Sequence, residues 1–126
     1  MSKTQVSANA YFANLRFIIE NHPFVIKSDL IKERLSQDEG YNQVSITLIR
    51  NYKLEVFEYY IESKGVIKYR YQLLDSKKRF VARWDNAPHH SEIKTNPDHY
   101  HTVTGVEEYD HKSLKAVLDQ LDKFWT

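Results

Sequence analysis

Apolar and polar positions change period three times along the chain. Over residues 7–23, SANAYFANLRFIIENHP, the side chains Phe12, Leu15, Ile18 and Ile19 recur at helical spacing and give one apolar face. Ser7 or Asn9 can cap the start, and Pro23 ends the helix. The next sixty-odd positions are rich in Val, Ile, Tyr, Phe and Thr, broken by polar runs at 37–42, 51–53, 62–65 and 75–78. Pieces of strand length joined by short breaks predict a meander of about five antiparallel strands. They fall at 24–35, 43–50, 54–61, 66–74 and 79–84. Alternation supports this. Val44, Ile46 and Leu48 oppose Ser45 and Thr47, and Ile67, Tyr69, Tyr71 and Leu73 oppose Val66, Lys68, Arg70 and Gln72. The first strand has a competitor, because SDLIKERL also suits a short helix capped by Ser28 or Asp29.

After Trp84 the pattern stops. Pro88 and Pro97, with Asn86, Ser91, Asn96 and Asp98, predict a long irregular segment. Order returns at His111, where Leu114, Val117, Leu118 and Leu121 mark a final amphipathic helix anchored by Phe124 and Trp125. The expectation is a single α+β domain over residues 1–126. Both helices cover one face of the sheet, and the other face is left to Lys68, Arg70, Arg83 and their neighbours.

Composition narrows the function classes. With no cysteine in 126 residues, disulfide scaffolds and thiolate sites are excluded. A net charge of +1 argues against an overall basic nucleic-acid binder but leaves room for a local basic patch. No stretch approaches the ~18 apolar residues of a membrane span. The N-terminus lacks a signal peptide's apolar core, so a cytoplasmic protein without membrane contact is expected. Nine Tyr, six Phe and two Trp fit half-buried sheet surfaces, and aromatic rings also stack on bases.

The chemistry is concentrated in the segment RWDNAPHHSEIKTNPDHYH, which carries four of the six histidines. Three readings compete. The first is a metal site: His99 and His101 share a face if the chain at 98–103 is extended, and Asp85, Asp98 or Glu92 could complete a nitrogen–oxygen set, although no HExxH-like spacing is present. The second is metal-independent RNA cleavage, with no cofactor. His89, His90, His99 and His101 would carry protons, because imidazole titrates near neutrality. Arg83 would hold phosphate through its two-pronged guanidinium, with Arg70 beside it. Asp85 and Asn86 would shape the substrate-binding turn, and Trp84, Tyr69, Tyr71 and Tyr100 would stack on bases. In the third reading the histidines bond backbone carbonyls and hold an irregular segment in place. The lone histidines, His22 and His111, are assigned to helix ends, His22 as a cation at a C-terminus.

The run from Tyr69 to His101 resembles the TumE toxin family of prokaryotic toxin–antitoxin systems. YRYQLLD matches the family's Y-x-Y-x-x-x-D strand, and RWDNAPHHSE matches its R-[WY]-D-N-A-P-H-H-P-E block, with Ser91 at the proline position. NPDHYH stands where a P-H-H-x-H block is usual, so Asp98 or Tyr100 fills one histidine position. The resemblance implies a small toxin acting on RNA as a ribonuclease, paired with a helix-turn-helix antitoxin. The oligomeric state is left open between a homo-oligomer and a toxin–antitoxin complex. The alternatives are a non-catalytic RNA- or protein-binding module and a His-ligated metal-dependent hydrolase. A nucleotide-transfer enzyme is disfavoured, because only three glycines exist and none forms a phosphate loop.

Overall fold

A computed structural model describes residues 6–87, 97–109, 111 and 113–126. Helix α1 spans Ala8–Glu20, with the Ser7 side chain accepting from the Ala10 N–H at its start. Seven strands follow in sequence order across one antiparallel sheet: β1 Val25–Leu35, β2 Glu39–Leu48, β3 Lys53–Ile61, β4 Gly65–Leu74, β5 Phe80–Asp85, β6 His99–Thr102 and β7 Gly105–Glu108. The short helix α2, Leu114–Leu118, and a 3₁₀ turn at Leu121–Phe124 complete the order.

The α+β meander holds, with corrections. The sheet has seven strands rather than five, because the segment expected to be irregular contains the β6–β7 hairpin. Each of these strands has four residues, and Gly105, at φ +145°, closes the turn between them. So short a run gives period-two patterning little to register. Residues 28–35 lie in a strand, so the helical alternative for SDLIKERL falls. The last helix is shorter than expected. It stops after Leu118, where Asp119 turns out to take bonds from His22 and Lys115 and Gln120 leaves helical geometry.

Both helices lie on one face. Phe12, Leu15 and Ile19 of α1 and Leu114, Val117 and Leu118 of α2 join Val44, Ile46, Leu54, Val56, Tyr71, Leu73, Ala82 and Trp84 in one core. Tyr11 stacks on Tyr60 at 4.2 Å, while Phe124 meets Trp84 edge-on at 6.0 Å. A fully buried side chain of this kind contributes about 1.5–3 kcal/mol. Three of them anchor α1, whose thirteen residues would be marginal as a helix alone. His22 ties the two helices together. Its Nδ1 accepts the Phe24 N–H at 3.1 Å, so its Nε2–H donates to Asp119 at 2.8 Å. The ring sits just past the C-cap of α1, the helix end expected from sequence, and bridges to the C-cap of α2.

The core also contains a carboxyl. Glu58 is fully buried and accepts hydrogen bonds from the Tyr11 and Tyr71 hydroxyls, one to each oxygen. Burial pushes its carboxyl above the ordinary value of 4.5, and the two hydroxyl bonds only partly offset that. In the unfolded chain Glu58 ionises at its ordinary value, and in the folded chain only at a higher pH. Its contribution to stability is therefore complete below 4.5 and is lost as pH rises through the raised folded value. Glu58→Gln should remove this loss. In urea denaturation between about pH 4 and 8, the variant's stability relative to wild type should rise with pH. A pH-independent difference would contradict the assignment.

Candidate active site on the open sheet face

The strand register writes the site. One row of cross-strand partners runs Gln43, Phe57, Arg70, Asp85, His99 and Glu108. The adjacent row, two residues along each strand, runs Ser45, Glu55, Gln72, Arg83, His101 and Val106. Paired residues share a face, and so do residues two apart. Both rows therefore lie on the face away from the helices, as the alternation of β4 implied for Arg70. Gln43, Glu55, Phe57, Lys68, Arg70, Arg83, Asp85, Asn86, His99 and His101 line a cavity of about 670 Å³ there, within the usual size of small-molecule sites.

Asp85 is the centre of this cluster. Its side chain is buried, and its Oδ2 accepts from Arg83 Nε at 2.9 Å. Oδ1 accepts the Ala87 N–H at 3.0 Å and lies 2.7 Å from His99 Nε2. The bond to Ala87 is a two-residue turn that ends β5 directly at the site. His101 Nε2 lies 3.5 Å from Oδ2, and the two imidazole rings meet edge-on at 4.7 Å. His99 Nδ1 is 2.7 Å from the Pro97 carbonyl. A carbonyl can only accept, so Nδ1 carries a proton, and the Nε2–Oδ1 contact requires one more between them. The charge-assisted contacts make a short, well-oriented network in low dielectric.

Asn86 stands one residue past the strand. Its carboxamide accepts the Tyr69 N–H at 3.1 Å and donates to the Ile67 carbonyl at 3.1 Å. It fills the place of a backbone partner for β4 just where β5 leaves the sheet. Three cations, Lys68, Arg70 and Arg83, border the cavity against the carboxylates Glu55 and Asp85. This is the local basic patch that the overall charge permitted.

The aromatic residues of the expected site are mostly buried. Trp84, Tyr69 and Tyr71 are at most 2% exposed and belong to the core, although Tyr69 also borders the cavity. The Tyr71 hydroxyl binds Glu58, and the Tyr69 hydroxyl donates to Asp98 Oδ1 at 2.8 Å. Burial, and then that bond, push the Tyr69 hydroxyl well up. Tyr100 pairs with Trp84 across the strands and stacks on it at 5.3 Å, on the helix side of the sheet. Half-buried rings on the open face include Phe57, which lines the cavity, Tyr41, 6.1 Å from it, and Tyr59. The signal for Phe57 was present: Glu55 and Phe57 alternate with the apolar Leu54 and Val56. His89 and His90 lie outside the described residues. His111 stacks on Tyr69 at 3.9 Å rather than joining the cluster.

The family model described as Toxin TumE matches residues 14–126. The chain belongs to the Toxin TumE family. This TumE chain is therefore a toxin component of a toxin–antitoxin system, with an antitoxin as its partner. Neither a curated protein nor a solved structure matches it. Among its described residues, no helix is long and apolar enough to cross a membrane.

The Asn86 bridge gives a direct test. Asn86→Ala removes the side-chain partner of the Tyr69 N–H and of the exposed Ile67 carbonyl, and should cost about 0.5–1.5 kcal/mol in urea denaturation, with faster amide exchange at Tyr69. Asn86→Asp should not rescue it, because an oxygen would then face the Ile67 carbonyl. An amide at Tyr69 still protected in Asn86→Ala would refute the bridge.

Proposed function

We propose that this TumE toxin is a small metal-independent ribonuclease, partnered by a helix-turn-helix antitoxin in the cytoplasm, and that the open sheet face is its active site. What supports the reading is the convergence of two imidazoles, a buried carboxylate and three cations on one cavity. Arg83 and Arg70, with Lys68, hold the scissile phosphate, and Phe57 offers the ring against which a base stacks. A histidine of the 89–90 pair takes the proton from the 2′-hydroxyl. These residues stand four and five positions after Asp85 in the sequence. The 2′-oxygen attacks phosphorus, a 2′,3′-cyclic phosphate forms, and the 5′-oxygen leaves with a proton from His101.

Burial separates the two histidines of β6. His99 is 1% exposed, with both ring nitrogens engaged, so it positions its neighbours. Both rings line the cavity, but His101 is the half-buried one of the two, so we assign the proton-donor role to it. Asp85 and His99 hold His101 and Arg83 in place, and Asn86 fixes the strand end.

Purified protein should cut RNA in chelator and leave 5′-hydroxyl and 2′,3′-cyclic phosphate ends. His101→Gln and Arg83→Gln should each lower the rate by about 10²–10⁴-fold with the fold retained. In cells, both variants should lose growth arrest. RNA bound but left intact would instead favour a binding module. Full cleavage by folded His101→Gln would remove His101 from the mechanism.

A further inference from the structure

We propose that Asp85, His99 and His101 also bind one transition-metal cation of the zinc class, and that the bound cation closes the site. A carboxylate oxygen and two imidazole nitrogens here lie within 4.8 Å of one another. A cation with bonds of roughly 2.0–2.2 Å sets its neighbouring ligand atoms about 3.0–3.5 Å apart. Asp85 Oδ1 lies 2.7 Å from His99 Nε2, and its other oxygen, Oδ2, lies 3.5 Å from His101 Nε2. Binding the ion would draw the widest of the donor separations, within 4.8 Å, in to that spacing.

The surrounding bonds are those that ligands need. His99 gives its Nδ1 proton to the Pro97 carbonyl, which fixes the tautomer and turns Nε2 towards Asp85. The Ala87 N–H and Arg83 Nε hold the carboxylate in orientation. The two histidines sit on one short strand and Asp85 on its paired neighbour, so the three donors are placed before any ion arrives. The cation takes the place of the proton between His99 and Asp85. Two imidazoles and one carboxylate select zinc, copper or nickel over magnesium and calcium, which prefer all-oxygen sets. All three residues line the cavity, so an ion reaches the donors from that side.

Binding stands on this geometry alone. Closure rests on the ribonuclease reading, because the cation would occupy the His101 nitrogen that carries the leaving-group proton.

The test uses the untagged full chain stripped of metal. Titrated zinc, read by competition with a chromophoric chelator, should bind at one equivalent. Cobalt should give the visible absorption of a nitrogen–oxygen site, and magnesium should not compete. His99→Gln and His101→Gln should each weaken zinc binding at least about tenfold. His101→Gln keeps the Asp85–His99 contact, so circular dichroism should find it folded. Absence of one-equivalent binding, or zinc affinity unchanged in both variants, overturns the proposal. Zinc should also stop RNA cleavage that proceeds in chelator. Zinc bound by a protein that cuts no RNA in any condition leaves binding standing and removes the ribonuclease reading. Cleavage without zinc binding does the reverse. Cleavage lost in chelator supports the metal site and overturns closure.

Discussion

A carboxylate removed from water must be met by donors, and Asp85 is met from three directions. Arg83 reaches it from two residues back along β5, Ala87 from the turn just beyond, and His99 from the neighbouring strand. An ion pair this deep is weak support for stability, because desolvation offsets most of the attraction. Its value is in specificity. Any slip of β6 by one residue would carry His99 and His101 to the helix side and leave Asp85 buried without its third donor. One side chain thus fixes the strand end, the hairpin register and the orientation of both imidazoles.

The two faces of the sheet divide the labour. On the helix side, rings and aliphatic side chains fill a core in which the carboxyl of Glu58 is held by tyrosine hydroxyls. On the other side the same strands present cations, imidazoles and the ring of Phe57. Strict alternation lets a small domain keep a dry core and a charged surface one residue apart.

Much of this was legible in the sequence. Alternation in β2 and β4 set the faces, and Arg70 lands where that alternation placed it. The polar breaks located the early turns, and the WDNAPHH run pointed to the family that the match over residues 14–126 establishes. Other features were hidden for physical reasons. β6 and β7 are too short for a period, and their formation depends on partners distant in the chain, Asp85 above all. The burial of Trp84, Tyr69 and Tyr71 was hidden because proximity in sequence to the histidines says nothing of the face. On a strand, the residue next to a site residue points the opposite way. The chain near His99 fits two of the competing readings at once: its Nδ1 braces a loop carbonyl while its Nε2 serves the cluster.

Family membership settles that this chain is a toxin, while the chemistry rests on whether Asp85 gathers the two imidazoles. Nitrogen-15 NMR of selectively labelled histidine observes that directly. The account predicts a His99 ring whose Nδ1 carries a slowly exchanging proton, with a second strongly downfield proton coupled to Nε2 and lost in Asp85→Asn. A His99 ring with unprotonated Nδ1, or spectra indifferent to Asp85, would contradict it.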